Sequence, residues 1–432
     1  MLAKILNSLK ITALNEMQEA ALAAARENDM VLLSPTGSGK TLGFLLPLLE
    51  QIKPDVNGVQ ALILVPTREL ALQIEQVFRQ MGAGFKIVCS YGGNSTNTEK
   101  RNLANPPAVW VGTPGRVGHH LRSQNVDGST ITILVLDEFD KSLEMGFQEE
   151  MKFIIDLLPN IQKRLLTSAT NMAEIPAFTG LKKPTTVNFL KDSASAPDID
   201  VRAVEVIKED KLLTLYSLLC KLGNRLALVF CNQRDAVENV SAYLYKKGIA
   251  HGIFHGGLEQ PDRERVLLKF RNGTYPLLIS TDLAARGLDI PEIESVIHFQ
   301  LSDAETFLHR NGRTARMQAK GTAYLLLHPG EKPGFLPKLP PFESLPSKPT
   351  LPAPSFWDTV YISAGKKDKV SKGDVVGLLL QKGGLEKSDL GFIEIQESAA
   401  FAAVNRNKLD KLVLLLKAEK LKGKKVKIER AS

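Results

Sequence analysis

The run Ser34-Pro35-Thr36-Gly37-Ser38-Gly39-Lys40-Thr41 carries the residue types needed to hold a chain of phosphates. Gly37 and Gly39 let the backbone curl, so that successive N–H groups point inward at an anion ahead of a helix's positive end. In such a loop Lys40 reaches the β- and γ-phosphates, and the Thr41 hydroxyl is a ligand for Mg²⁺. Ser34 stands where the strict pattern has Gly. Asp137-Glu138 is the second half of the same chemistry. Asp137 would hold the magnesium shell, and Glu138 would orient and deprotonate the attacking water. A third group, His309-Arg310-Asn311-Gly312-Arg313-Thr314-Ala315-Arg316, puts three arginines into eight residues. Such a cluster can bind RNA phosphate, or supply arginine fingers to a nucleotide held elsewhere.

These groups need a scaffold that gathers them, and the flanking sequence predicts one. Met30-Val31-Leu32-Leu33 is an apolar run feeding the Gly-rich turn, and Leu42 to Leu49 follows as a mostly apolar helix. Upstream, Ile11 to Arg26 reads as a helix with Gln18 near its start. Gln60–Val65 is a continuous apolar strand ending in Pro66-Thr67-Arg68-Glu69-Leu70. Ala108–Val111 ends in Gly112-Thr113-Pro114-Gly115-Arg116. Ile131–Leu136 ends in Asp137-Glu138-Phe139-Asp140, and Lys163–Leu166 ends in Thr167-Ser168-Ala169-Thr170. Apolar strands alternating with amphipathic helices predict a parallel sheet covered on both faces. Ligands collect at the carboxyl ends of such strands, and each polar motif sits at such an end.

Lys191 to Pro197 breaks the alternation as a small-residue linker. It resumes with strands at Leu226–Phe230, Leu277–Ser280 and Ser295–His298, predicting a second α/β domain without a phosphate loop, ending near Leu327. Nine prolines between Pro329 and Pro354 predict an extended, semi-rigid spacer. The tail reads as a strand at Thr359–Ser363, a helix capped by Ser371 through Gln381, and strands at Phe392–Ile395 and Phe401–Val404. A helix from Asn405 to about Lys420 and a closing strand at Lys425–Ile428 complete it. The order βαββαβ is the ferredoxin-like plan of RNA-recognition modules. The expected domains are 1–190, 198–328 and 358–432, with 329–357 as linker.

Composition narrows the partners. The 432 residues, 44% hydrophobic, fit globular domains with ordinary cores. No apolar run approaches the roughly 18 residues of a membrane span, and no signal-peptide core opens the chain. Cys89, Cys220 and Cys231 form no CxxC pair, which argues against a metal cluster or a disulfide framework and for a reducing cytoplasm. From Ser363 to Ser432 there are 14 Lys and 2 Arg against 4 Asp and 5 Glu, so this tail carries +7 of the chain's net +8. A basic tail on a nearly neutral body points to a nucleic-acid partner.

The first 330 residues resemble a DEAD-box RNA helicase core. The ordered motifs are Gln18, Ser34–Thr41, Pro66–Leu70, Gly92-Gly93, Thr113–Arg116, Asp137–Asp140 and Ser168–Thr170. The second half adds His255-Gly256-Gly257, Ser280-Thr281-Asp282, Arg286-Gly287-Leu288-Asp289 and His309–Arg316. The resemblance implies that Gln18 reads adenine and that Gly287 and Asp289 lie at the nucleotide, Asp289 on the ribose. By it Arg313 and Arg316 are the fingers, and Pro66, Thr67, Arg68, Gly93, Thr113, Arg116 and Thr281 line the RNA backbone. Ser168 and Thr170, with His309 and Arg310, couple nucleotide to domain closure. Three residues depart from the pattern: Phe139 replaces the Ala that names the family, Ala315 a Gly between the fingers, and His119 an Asp.

The tail is similar to the C-terminal domain of the DbpA-type subgroup, whose members engage a hairpin of large-subunit ribosomal RNA. Gly377-Leu378-Leu379, Gly384-Leu385, Asp389-Leu390-Gly391 and Lys422-Gly423-Lys424 carry that likeness. Phe392 is the sole aromatic of its strand, a poor platform for stacked bases, so phosphate contacts fall to Lys408, Lys411, Lys422, Lys424 and Lys425. The expected function is ATP- and Mg²⁺-dependent local unwinding of structured, ribosomal RNA by a cytoplasmic monomer without membrane contact. An ATP-gated RNA clamp or annealing factor, or a DNA translocase, has the same motif inventory.

Overall fold

The structure, a computed structural model, describes residues 2–35, 37–93, 95–172, 174–190, 199–285, 293–314 and 321–431. Thr36, Gly287, Asp289 and Arg316 lie outside the described residues, as do the predicted linker Lys191–Pro197, Arg286, Leu288 and Ala315.

Among the described residues the first unit holds seven strands: β1 (Met30–Leu33), β2 (Ala61–Leu64), β3 (Ile87–Ser90), β4 (Val109–Gly112), β5 (Ile133–Leu136), β6 (Lys163–Ser168) and β7 (Thr185–Asn188). They pair in parallel in the order β3-β4-β2-β5-β6-β1-β7. Because side chains alternate along a strand, Ile63 enters a core with Phe44, Leu48 and Phe78. Its neighbours Leu62 and Leu64 enter a second core with Trp110, Met151 and Ile154 on the opposite face. Burial on both faces is why these strands read as unbroken apolar runs.

The helices that matter for the site are α1 (Leu2–Leu9), α2 (Glu16–Glu27), α3 (Lys40–Gln51), α4 (Arg68–Met81), α5 (Thr96–Ala104), α6 (Pro114–Arg122) and α7 (Phe139–Glu144). The helix expected from Ile11 starts instead at Glu16. Asn15 caps it, exchanging bonds with Gln18 in a capping box, and such a cap requires non-helical backbone before it. Periodicity missed α1 and the strands β3 and β7. β7 is an edge strand with one buried residue, Val187, so it carries little apolar signal.

Among the described residues the second unit holds six parallel strands: β8 (Ile199–Glu205), β9 (Ala227–Phe230), β10 (Gly252–Phe254), β11 (Leu277–Ser280), β12 (Ser295–His298) and β13 (Gly321–Leu327). Their order is β10-β11-β9-β12-β13-β8. Edge strand β8 is covered by the proline-rich stretch expected as a spacer. Ala203 N–H donates to the Pro341 carbonyl at 2.9 Å and Glu343 N–H to the Ala203 carbonyl at 2.7 Å. Arg202 and Lys221 both pair with Glu343. Pairing an edge in this way removes a template for aggregation.

The same unit ends in a four-stranded antiparallel sheet, β14 (Trp357–Ile362), β15 (Leu390–Ile395), β16 (Ala400–Asn405) and β19 (Ile428–Arg430), in the order β15-β16-β14-β19. One face, with Val360, Ile362, Ala402 and Val404, packs on helical Val375, Leu379, Leu409 and Leu412. The closing strand lies at Ile428–Arg430, three residues beyond the expected start. Lys424–Lys425, strand β18, turns back on β17 (Lys420–Leu421) through Lys422 (φ 52°) and Gly423 (φ 80°). Two consecutive positive φ values make the tight hairpin turn that forbids a continuous strand there. The preceding helix runs only from Arg406 to Leu416.

Candidate nucleotide and RNA site

Strand order decides which loops are neighbours. The ends of β5, β6 and β1 lie side by side, and so do those of β3, β4 and β2. At the end of β1, Gly37 (φ 83°) and Gly39 (φ 88°) take the left-handed backbone that a phosphate loop requires. Lys40, the first residue of α3, is buried, and its Nζ donates to the carbonyls of Ser34 at 2.5 Å and Pro35 at 3.1 Å. Its ammonium thus lies on the loop itself, where a phosphate would replace the carbonyls. Ser34 Oγ donates to Ser38 Oγ at 2.7 Å, so the serine in the glycine position braces the loop from within.

Gln18 is buried against this loop, its Nε2 donating to the Gly39 carbonyl at 3.2 Å while its Oε1 accepts from Asn15 N–H. A Cβ on Gly39 would lie 2.5 Å from that Nε2 and would displace the amide, and the left-handed backbone there already favours glycine.

At the end of β5, Asp137 is 3% exposed and Glu138 7%. Glu138 takes a left-handed conformation (φ 46°, ψ 51°) and caps α7, the sharp turn that breaks the alternation of two neighbouring carboxylates. Asp137 accepts the Thr167 hydroxyl, and Thr167 in turn accepts Glu138 N–H at 3.2 Å. Burial pushes the Asp137 carboxyl above its usual pKa, while the Thr167 bond and the Lys40 charge pull it back. The buried Asp137 carboxylate and the threonine hydroxyl beside it offer hard oxygens of the kind Mg²⁺ prefers. Asp140 carries the link onward: its Oδ2 accepts the Thr170 hydroxyl at 2.8 Å and Ala169 N–H at 3.2 Å. Ser168 bonds within the same turn, its Oγ donating to the Thr170 carbonyl at 2.7 Å. Thr167 was missed in the sequence; its signal was adjacency to Ser168 at a strand end. Phe139 points away from the acids into the core, fully buried beside Phe178 at 6.1 Å between ring centroids.

The other three strand ends carry the residues expected at RNA. Thr67, which follows Pro66, caps α4, accepting Leu70 N–H at 3.3 Å. Arg68 lies over the Gly92-Gly93 turn so closely that a Cβ on Gly93 would sit 2.6 Å from its Nη1. Thr113 is the residue before α6, and Arg116, on its first turn, donates from Nε to the Tyr91 carbonyl at 3.2 Å. The sheet thus brings Thr67, Arg68, Gly93, Thr113 and Arg116 to one edge.

In the second unit, Arg310 is fully buried and forked on Asp282 at 2.6 and 3.2 Å, with further bonds to the Gln300 carbonyl and Asn232. It therefore pins the helix Ala304–Asn311 to the end of β11. Neighbouring His309 is 4% exposed and lies 3.6 Å from Glu305. Arg313 is buried, donating from Nε to the Ala285 carbonyl at 2.6 Å. Thr281 sits at the end of β11, its N–H donating to the Phe254 carbonyl.

The antiparallel sheet has its outer face occupied. The Tyr361 and Phe401 rings, tilted at 60° with centroids 5.4 Å apart, pack on Leu268 of the second parallel-sheet domain. Beside them Lys269 Nζ donates to the Ala431 carbonyl at 2.7 Å, Asn272 to Thr359 at 2.8 Å, and Arg271 pairs with Glu394. The face on which recognition modules stack bases is therefore closed, and Phe392, 45% exposed, lies beneath the Lys372 ammonium. Lys408, Lys422 and Lys424 pair with Asp389, Asp374 and Asp368. Lys411 and Lys425 are exposed.

Three known families match successive parts of the chain. The DEAD/DEAH box helicase family matches residues 15–177, the helicase conserved C-terminal domain 210–318, and the DbpA RNA binding domain 359–430. ATP-dependent RNA helicase DbpA of Escherichia coli (strain K12) is 34% identical over 98% of this chain and 95% of its own. The chain is a DEAD-box RNA helicase of the DbpA group. DbpA of Bacillus subtilis (strain 168) is 30% identical over 99% and 97%. Among solved structures, Saccharomyces cerevisiae Dbp5 bound to RNA and ADP BeF3 superposes with a TM-score of 0.68 at 27% identity, covering 76% of this chain and 86% of that one. The DEAD-box helicase Mss116 bound to ssRNA and UDP-BeF gives 0.67 at 25%, covering 75% and 72%. As a member of this group the protein binds RNA and ATP and is an RNA-dependent ATPase. Its two parallel-sheet domains are RecA-like. Among the described residues no helix is long and apolar enough to cross a membrane.

Proposed function

We propose that this helicase opens short RNA duplexes locally, through ATP-driven closure of its two RecA-like domains, on structured ribosomal RNA held by its C-terminal module. The observation that carries the reading is strand order. One sheet sets the phosphate loop, Asp137 and Thr167 beside the loops of Thr67, Gly93 and Arg116, so occupation of one group bears on the other. Lys40 and the loop N–H groups hold the phosphates; Thr41 and Asp137 hold Mg²⁺, which supplies charge neutralisation at the transferring phosphoryl group. Glu138 orients the attacking water. Gln18, Ser34, Thr36, Gly37, Ser38, Gly39, Gly287 and Asp289 complete the nucleotide pocket, and Arg313 and Arg316 meet the charge that develops on hydrolysis. Thr170, bonded to Asp140, and Ser168, bonded to Thr170, pass the state of the site to the RNA side, with His309 and Arg310 answering in the second domain.

The core touches RNA backbone, which carries no sequence information, so target choice falls to the module from 358 onward, joined by the 329–357 segment to domains spanning 1–190 and 198–328. With its sheet face closed, its lysines make the contacts. The protein acts as a cytoplasmic monomer.

Strand displacement tests the reading. A duplex flanked by a ribosomal hairpin should be separated with ATP and not with a non-hydrolysable analogue. Analogue-dependent RNA retention without ATP-driven displacement would make the protein a clamp. Equal ATPase stimulation by RNA and DNA of one sequence would make it a general translocase.

A further inference from the structure

Beneath the expected RNA edge lies a buried acid that no motif includes. Glu99, on α5, is 1% exposed and has three donors around its carboxylate. Oε1 accepts Tyr91 N–H at 3.1 Å. Oε2 accepts His120 Nε2 at 2.8 Å and lies 3.1 Å from Arg116 Nε. His120 is fully buried, and Asn125 Nδ2 donates to its Nδ1 at 3.0 Å, which leaves the proton on Nε2, directed at Glu99. Arg116 is held from a further side by Thr96, its Nη1 donating to Oγ1 at 2.9 Å.

One carboxylate therefore joins two loops that follow different strands. Tyr91 immediately precedes the Gly92-Gly93 turn after β3, and Arg116 lies on the first turn of α6 after β4. Loops on separate strands have no covalent reason to keep a common register; a shared buried acceptor gives them one. We infer that Glu99 is a positioning residue for RNA binding, which with His120 and Thr96 fixes Arg116 and the glycine turn in the orientation that meets RNA phosphate. The inference rests on the proposed RNA edge and goes beyond it by assigning an acid to a polyanion site.

The sign of the effect separates positioning from simple electrostatics. Removing a negative charge near a phosphate backbone should tighten RNA binding by Coulomb's law. Losing the register of Arg116 should weaken it. Glu99→Gln keeps the shape and removes the charge-assisted bonds. The experiment measures RNA half-saturation of the ATPase, ATP half-saturation, and turnover at saturating RNA, all in the full-length protein. The expected result is an RNA half-saturation raised about tenfold, the loss of one charge-assisted contact. ATP half-saturation and saturated turnover should be unchanged, and the slope of log affinity against log salt should fall by about 0.7. Thr96→Val and His120→Gln should move RNA half-saturation in the same direction by less, and they decide the matter if Glu99→Gln fails to fold. Tighter or unchanged RNA binding in these variants overturns the inference. Arg116→Ala is the control: if it does not weaken RNA binding, the RNA edge itself is misplaced. If it does and Glu99→Gln does not, only the positioning role falls.

Discussion

The acids at the end of β5 and the lysines of the C-terminal module both await phosphate chemistry, yet their surroundings are opposites. Asp137, Glu138 and Asp140 are each less than 8% exposed and tied by named bonds to Thr167, Ala169 or Thr170. The lysines stand in water. Three of the five singled out are already engaged: Lys408 holds Asp389 down to a pKa of about 2, Lys422 holds Asp374 to about 2, and Lys424 lowers Asp368. A buried site concentrates its function in a few atoms that cannot move. An exposed face spreads it over a charge count, part of which the fold neutralises. Exposed ion pairs are weak in water, so phosphate can compete for the paired lysines.

That contrast predicts a ladder of effects. At the top, Glu138→Gln should lower RNA-stimulated ATP turnover by about 10²–10⁴ while leaving nucleotide and RNA binding in place. Wild-type turnover in that variant would remove Glu138 from the chemistry. Next is the neighbour that faces the other way. Phe139→Ala leaves the acids untouched and empties a fully buried ring site, so it should cost roughly 3–5 kcal/mol of stability in denaturant unfolding. A loss of turnover without a loss of stability would show that Phe139 acts on the acids instead.

His298 repeats the buried case in the second domain. It is fully buried, its Nε2 donates to Asn311 at 2.9 Å, and burial pushes its pKa down from 6.5 to about 3. The folded state holds it neutral while the unfolded chain protonates it. Stability is therefore full above pH 6.5 and falls by roughly 1.4 kcal/mol per pH unit as pH drops toward 3. Unfolding of His298→Gln across pH should lack that part of the acid slope; an identical slope would contradict the assignment.

The exposed face should respond weakly. Lys411→Ala should reduce the salt slope of RNA binding by about 0.7, one phosphate contact, with turnover at saturating RNA unchanged. The smallest effect has the opposite sign. Asp368→Asn keeps the oxygen that caps Gly365 but releases Lys424, and should tighten RNA binding by less than tenfold, within the range of an exposed pair. Weaker binding in that variant would mean that the pair itself orients the contact.

Much of this molecule could be read before its fold was known, and the reason is locality. A phosphate loop, a strand ending in Asp-Glu, a helix cap at Ser371 and a net +7 in seventy residues are statements about neighbouring residues, whose conformations depend on one another directly. The buried strands β2 and β5 declared themselves by unbroken apolar runs, whereas β7, with one buried side chain, did not.

Tertiary structure decided what lies across the chain. Thr167 meets Asp137 from 30 residues away, and Glu99 meets His120 from 21. Asp368 meets Lys424 from 56, and each pairing follows from strand order or helix packing that no local pattern encodes. The direction of Phe139 was likewise open until the turn at Glu138 sent it into the core. So was the fate of Tyr361 and Phe401, aromatic side chains that pack with Leu268. Residue type and spacing set which chemistry the strand ends can perform. Only packing determined which groups are held still, paired or covered, because those depend on contacts between segments far apart in the chain.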